Sequence, residues 1–272
     1  MSRASLQDQL ILVTRAPHKQ APLLELLNSQ GAKPVPFASI HIAPLEIHSA
    51  EYGVTKQHIL DLDQFDIVIC ISANAARFAG ELIDQYWPQL PVNIKWLAIG
   101  KATAKALDYF DVFAQVVPGA DSEALLNHPE LQHVANKKIL ILQGNNGREL
   151  LADTLLQRAA IITQAVLYNR IVPVYTDDQI KNSLYNAALS AILITSGEAL
   201  SNLTTIAKGS QQQFDISSLQ ATTLIVPSTR VANIASTQGY QHIKVAKSAD
   251  DQSMLDALLL VRGLEADNEK KK

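Results

Sequence analysis

Ile67-Val68-Ile69-Cys70-Ile71-Ser72-Ala73-Asn74-Ala75 has a near copy far along the chain, Ala191-Ile192-Leu193-Ile194-Thr195-Ser196-Gly197-Glu198-Ala199. Each is a short aliphatic run that ends on small polar residues and passes into a helix-forming stretch. A continuous apolar run of this length, without alternation, fits a strand buried on both faces, as in a parallel sheet. Runs over 10–14, 96–99, 139–142 and 224–226 have the same character, with longer amphipathic stretches between them. That is the pattern of strands joined by helical crossovers, so the expected class is α/β.

The duplication extends outward from this pair. Trp96-Leu97-Ala98-Ile99-Gly100 and its following helix resemble 223–226 followed by Pro227-Ser228-Thr229-Arg230. A third match relates 139–160 to 10–32, each with its following strand. With the units named a, b and c, the chain reads a (10–34), b′ (66–87), c′ (94–127), a′ (138–161), b (190–206) and c (222–261). Internal repeats of this kind mark repeated supersecondary units. The simplest grouping gives two similar parallel-sheet lobes, one inserted in the other. Lobe 1 is expected over 1–35 and 175–265, lobe 2 over 36–174 with a connecting ladder at its ends, and a polar tail over 266–272. Two crossings are then required, near 35–44 and 163–176. The extended segments 34–40 and 164–171 are expected to pair there as a narrow two-stranded β-ladder, with a cleft between the lobes. A single continuous doubly wound sheet is the alternative, and the repeat order speaks against it.

A chain of 272 residues with 47% hydrophobic content can fill two modest cores. The net charge of -3 and the lack of a dense Lys/Arg stripe exclude a nucleic-acid footprint. No apolar run approaches the ~20 residues that a membrane helix needs, and residues 1–6 lack a signal-peptide core. The expectation is a cytoplasmic monomer with no nucleic-acid or membrane partner. The single cysteine, Cys70, lies inside an apolar run and reads as a buried, inert thiol.

Several chemistries are missing. There is no G-x-G-x-x-G, no P-loop and no G-x-S-x-G elbow. The seven histidines show neither H-E-x-x-H nor Cys/His ligand spacing. No metal, redox cofactor or nucleotide phosphate is indicated. What stands at the strand ends instead is a set of hydroxyls, amides and basic groups: Thr14-Arg15, Ser72 with Asn74, Gly100-Lys101, Gly144-Asn145-Asn146-Gly147-Arg148, Thr195-Ser196 and Ser228-Thr229. In a parallel sheet these ends share one edge, and helix N-termini there offer unsatisfied N–H groups to carboxylates or phosphates. Any single Ser, Thr or Asn also reads as a plain N-cap, worth about 1 kcal/mol. Arg15 and Arg148 occupy matching places in the two a units, suited to bidentate carboxylate binding or to a structural salt bridge. Tyr168 falls in the second crossing, either as a packing residue or as a hydrogen-bond donor.

Taken in order, Leu12-Val13-Thr14-Arg15, 65–75, 98–104, 144–150, Tyr168, Thr195-Ser196 and Pro227-Ser228-Thr229 make the chain resemble the uroporphyrinogen-III synthase family over nearly its whole length. The resemblance implies two α/β lobes joined by a β-ladder. It implies a cofactor-free lyase that takes hydroxymethylbilane, removes water and closes the ring with inversion of ring D to give uroporphyrinogen III, a step of tetrapyrrole and haem biosynthesis. It further implies that Tyr168 is catalytic, assisting departure of the substrate hydroxyl. Arg15, Ser72, Asn74, Lys101, Asn146, Gly147, Arg148, Ser196, Ser228 and Thr229 would then bind substrate carboxylates. The competing class is a non-enzymatic two-lobed ligand-binding or sensor protein.

Overall fold

The computed structural model describes residues 6–117, 122–145, 147, 149–209 and 215–269. The chain opens with β1 (Leu10–Val13), α1 (Ala21–Ser29), β2 (Lys33–Pro36) and β3 (His41–Pro44). It continues through α2 (Ala50–Leu60), β4 (Ile67–Cys70), α3 (Ala73–Tyr86), β5 (Lys95–Ile99), α4 (Gly100–Asp108) and β6 (Gln115–Val117). Then come α5 (Ser122–Leu126), β7 (Lys138–Gln143), α6 (Glu149–Gln157), β8 (Ile161–Val166) and β9 (Tyr168–Ile171). The last stretch holds α7 (Asp177–Leu184), β10 (Leu189–Leu193), α8 (Gly197–Gly209), α9 (Ser217–Gln220), β11 (Thr223–Val226), α10 (Thr229–Thr237), β12 (Ile243–Val245) and α11 (Asp251–Glu269).

The strands form two parallel five-stranded sheets with the same order of repeat units. One runs β12-β11-β10-β1-β2, the other β6-β5-β4-β7-β8. Read as repeat units, both sheets are c, b, a from one side to the other. The α/β class with two similar parallel sheets is thereby established, and a continuous doubly wound sheet is excluded. The chain divides into two compact units, Met1–His41 with Ile171–Lys272, and Ile42–Arg170. It passes between them twice, within β3 and within β9, and these two strands pair as a small antiparallel sheet. The ladder strand thus begins at His41, later than the extended segment 34–40 suggested. Residues 33–36 pair with β1 instead, in register Leu10↔Lys33 to Val13↔Pro36. Proline is tolerated there because β2 is an edge strand, where a missing N–H costs no ladder bond. The helix α11 also continues through Glu269, into the stretch read as a tail.

In the second unit β4 shows why its sequence is apolar throughout. Successive side chains point to opposite faces of a strand. Val68 and Cys70 enter one buried cluster, with Ala75, Ala79, Ile83, Leu140 and Leu142. Ile67 and Ile69 enter another, with Leu125, Ile139, Ile141, Leu151 and Leu155. Helices cover both faces, so alternation with polar residues would bury unpaired groups. In the first unit Ile11, Val13, Ala191, Leu193 and Ile225 pack with Leu23 and Leu27 of α1 and Met254, Leu255 and Leu258 of α11.

Each unit fastens its own end of the ladder. In the first, Tyr175 stacks on Phe37 with centroids 4.1 Å apart and donates from its hydroxyl to Ala38 O at 2.8 Å. The Asn202 amide donates to Ser39 O at 2.9 Å. In the second, Thr55 Oγ1 donates to Val166 O at 2.7 Å. These bonds pair backbone carbonyls that flank the ladder strands.

Candidate active site

The richest chemistry of the second unit gathers at the C-terminal ends of β4 and β7. Ser72 follows β4 in extended conformation and caps α3, its Oγ accepting the Ala75 N–H at 3.0 Å. The Tyr168 hydroxyl lies 3.3 Å from the same Oγ. Because Ser72 Oγ accepts from a backbone N–H, its one proton and second lone pair remain for the phenol. The Tyr168 ring is only 4% exposed. It stacks on Phe78 of α3, with centroids 5.6 Å apart and planes at 24°. The Arg77 guanidinium covers that Phe78 ring at 4.1 Å.

The backbone of Tyr168 is fixed by the turn after β7. Asn145 N–H donates to Tyr168 O at 3.0 Å, and Asn145 Oδ1 accepts the Arg170 N–H at 2.7 Å. Gln143 O accepts the Leu167 N–H at 2.8 Å. Gly144 lies flat against the phenol: a Cβ there would stand 2.5 Å from the Tyr168 Cζ. Gly147 lies in the same way against the Gln143 side chain, whose amide donates to Gln164 Oε1 at 2.8 Å. Asn146 and Arg148 fall outside the described residues. Asn74 stands in the first turn of α3, half-buried. Cys70, two residues before Ser72, is fully buried, and burial pushes its thiol up to about 12. It is a core residue rather than a nucleophile.

The junction from β5 to α4 differs. No side chain caps this helix, and Gly100 adopts φ 73°, a left-handed conformation that disfavours residues bearing Cβ. Lys101 is exposed in the first turn of α4.

In the first unit, Ser196 repeats the Ser72 cap, accepting the Ala199 N–H at 3.0 Å. Ser228 caps α10 through the Val231 N–H at 3.5 Å, and Thr229 is exposed at the first position of that helix. The Arg230 Nη1 lies 3.5 Å from the point where a Cβ on Gly197 would stand, so this guanidinium closely approaches the start of α8. Arg15 is different. Its guanidinium pairs with Asp251 and donates to Ala249 O at 2.7 Å, which is the salt-bridge alternative rather than an open carboxylate fork. No helix starts directly after β1: a short 3-10 turn at Pro17–Lys19 intervenes, and α1 begins at Ala21 without a side-chain cap. The expected helix N-terminus beside Arg15 is therefore displaced by several residues.

The sequence reading passes over Phe78 and gives Gly144 and Asn145 no part beside Tyr168, yet all three surround it. Gly144 carries one signal, since it stands directly after a strand end where the matching unit has a threonine. Nothing in the sequence pairs Phe78 with a tyrosine so far along the chain.

The family model described as uroporphyrinogen-III synthase HemD matches residues 21–256. The chain belongs to the uroporphyrinogen-III synthase family. The uroporphyrinogen-III synthase of Salmonella typhimurium is 32% identical over 91% of this chain and 99% of its own length. That of Escherichia coli K12 is 33% identical with the same coverage. Among solved structures, a mutant uroporphyrinogen III synthase of Thermus thermophilus matches with a TM-score of 0.63 over 95% of this chain and 99% of that one. At 16% identity this last likeness is one of fold. Membership of the uroporphyrinogen-III synthase family makes the chain an enzyme of the lyase class.

Proposed function

We propose that the chain converts hydroxymethylbilane to uroporphyrinogen III, and that Tyr168 assists loss of the substrate hydroxyl. The observation carrying the catalytic role is the Tyr168 hydroxyl set 3.3 Å from the Ser72 cap of α3. The substrate's pyrrole nitrogen pushes electrons toward the carbon bearing the hydroxyl, while the departing oxygen takes a hydrogen bond and then the proton from the phenol. Negative charge growing on the phenol oxygen falls at the positive end of a fourteen-residue helix, beside a hydroxyl able to donate to it. The remaining task is conformational. Closure without inversion competes, so the protein favours attack through the substituted carbon of ring D, giving a spiro intermediate, by holding the chain in one shape.

Carboxylate binding is assigned to Ser72, Asn74, Lys101, Asn146, Gly147 and Arg148 in one unit and to Ser196, Ser228 and Thr229 in the other. Several of these act through the helix N–H groups that they begin. Arg15 acts there with a guanidinium already shared with Asp251. In this reading the protein acts as a cytoplasmic monomer on a small-molecule substrate and needs no cofactor. Among the described residues, no helix is long and apolar enough to cross a membrane.

The test is to supply freshly generated hydroxymethylbilane and determine the ring isomer formed. Type III product is expected. Type I alone, at the spontaneous rate, would overturn the proposal and favour the alternative of a two-lobed binding protein.

A further inference from the structure

Gly144 and Asn145, which directly follow β7, both constrain Tyr168. The Gly144 Cα sits where a Cβ would meet the Tyr168 ring at 2.5, 2.6 and 3.0 Å. Its φ lies outside the left-handed region, so the backbone itself is open to any residue, and the exclusion is one of volume alone. The ring has little room to give way. It is 4% exposed, Phe78 stacks on it, and Ala165 and Leu167 belong to the same buried cluster. Asn145 sets the second coordinate. Its N–H holds the Tyr168 carbonyl and its Oδ1 holds the Arg170 N–H, so that the start of β9 is gripped at two points.

From this we infer that Gly144 and Asn145 are positioning residues that fix the depth and tilt of the Tyr168 phenol, and so the reach of its hydroxyl toward the substrate. The inference rests on the reading of Tyr168 as the group assisting hydroxyl loss. Gly144 sets how closely the ring approaches the strand end, and an added methyl drives the hydroxyl away from Ser72. Misplacement of about 1 Å can cost on the order of 10²-fold in rate. Binding of the substrate's carboxylates, which uses other groups, is left nearly intact.

The experiment measures kcat and KM for type III formation in Gly144→Ala, Tyr168→Phe and the double variant, with circular-dichroism melts to establish folding. Expected is a fall in kcat for Gly144→Ala of about 10²-fold, with KM within about twofold. The double variant should be no slower than Tyr168→Phe alone, because the displaced hydroxyl is already gone. Wild-type kcat in Gly144→Ala, or losses that multiply in the double variant, would overturn the inference. Wild-type kcat in Tyr168→Phe would instead sink the reading beneath it. Should Gly144→Ala fail to fold, Asn145→Ala decides in its place. It should lower kcat with KM held, and Asn145→Asp, which keeps the acceptor for Arg170 N–H, should restore most of the rate. Equal loss in both Asn145 variants would overturn the inference.

Discussion

Ser72 and Ser196 end matching strands in the two units, and locally they are the same object. Each caps a helix by accepting the N–H three residues on, and each bond measures 3.0 Å. Their surroundings differ. Over Ser72 lies the Tyr168 hydroxyl, brought by β9, whereas Ser196 stands beside Gly197, which Arg230 approaches from α10. Duplication of a βα unit thus reproduces the cap and the open helix N–H groups beside it, while other elements decide what lies over it. The proposed proton donation belongs to the junction that carries the phenol; the other carries a guanidinium in its place. The same serine supports both.

The largest effect that separates the two junctions is expected from Tyr168→Phe. Phenylalanine keeps the ring on Phe78 and the packing at Gly144, and removes one oxygen. Loss of a general acid costs about 10²- to 10⁴-fold, so kcat for type III product should fall by that order while KM stays within a few-fold. A variant that turned over at the wild-type rate would make the two serine junctions functionally alike and take the chemistry out of this corner.

Next come the serines themselves. Ser72→Ala and Ser196→Ala each remove an N-cap and should each cost about 1 kcal/mol in thermal or denaturant unfolding. Their kinetics should part. Ser72→Ala also strips the phenol of its hydroxyl partner, worth about 1 kcal/mol or roughly fivefold in kcat. Ser196→Ala should act on KM with kcat held, as expected of a group that binds ground and transition states equally. Matching kinetic losses in the two variants would refute the division of labour.

How far this could be read from the chain follows from the range of each interaction. The grouping into two similar parallel sheets was legible because it rests on local repeats: a doubled apolar run with its following cap marks each repeated unit. The Ser72 and Ser196 caps were legible for the same reason, being contacts three residues long. Arg15 was legible as a guanidinium at a strand end, but its partner Asp251 lies 236 residues away, and no local pattern distinguishes a paired from an open arginine. Gly144 against Tyr168 is harder still. A glycine that excludes volume leaves no chemical signature, and its reason exists only once β7 and β9 have been brought together. The ladder strand lies within the expected crossing near 35–44 but after the segment 34–40, because 33–36 and 41–44 are both extended and proline-bearing, and only the pairing of the first with β1 tells them apart.

The smallest expected effect lies at the opposite end of the same strands. Asp66 precedes β4, and Ser190 holds the matching place at the start of β10. The Asp66 carboxylate accepts from Lys137 Nζ at 2.8 Å and from the Lys138 N–H at 2.9 Å, tying β4 to the start of β7. The Lys137 hydrogen bond, then that of the Lys138 N–H, hold its carboxyl below the ordinary range against a small opposing effect of burial. A depressed carboxyl stabilises fully above its unfolded value of about 3.9, and that contribution disappears as the pH falls through the folded value. The exposed setting screens the ion pair, so the effect is small. Melting temperatures measured from about pH 6 down to about pH 2 should fall more steeply in the wild type than in Asp66→Asn, the two curves converging at the acid end. The serine in the other unit cannot titrate, so Ser190→Ala should leave the slope unchanged. Parallel curves for wild type and Asp66→Asn would show that this edge of the second sheet owes nothing to the charge, and that acid sensitivity arises elsewhere in the chain.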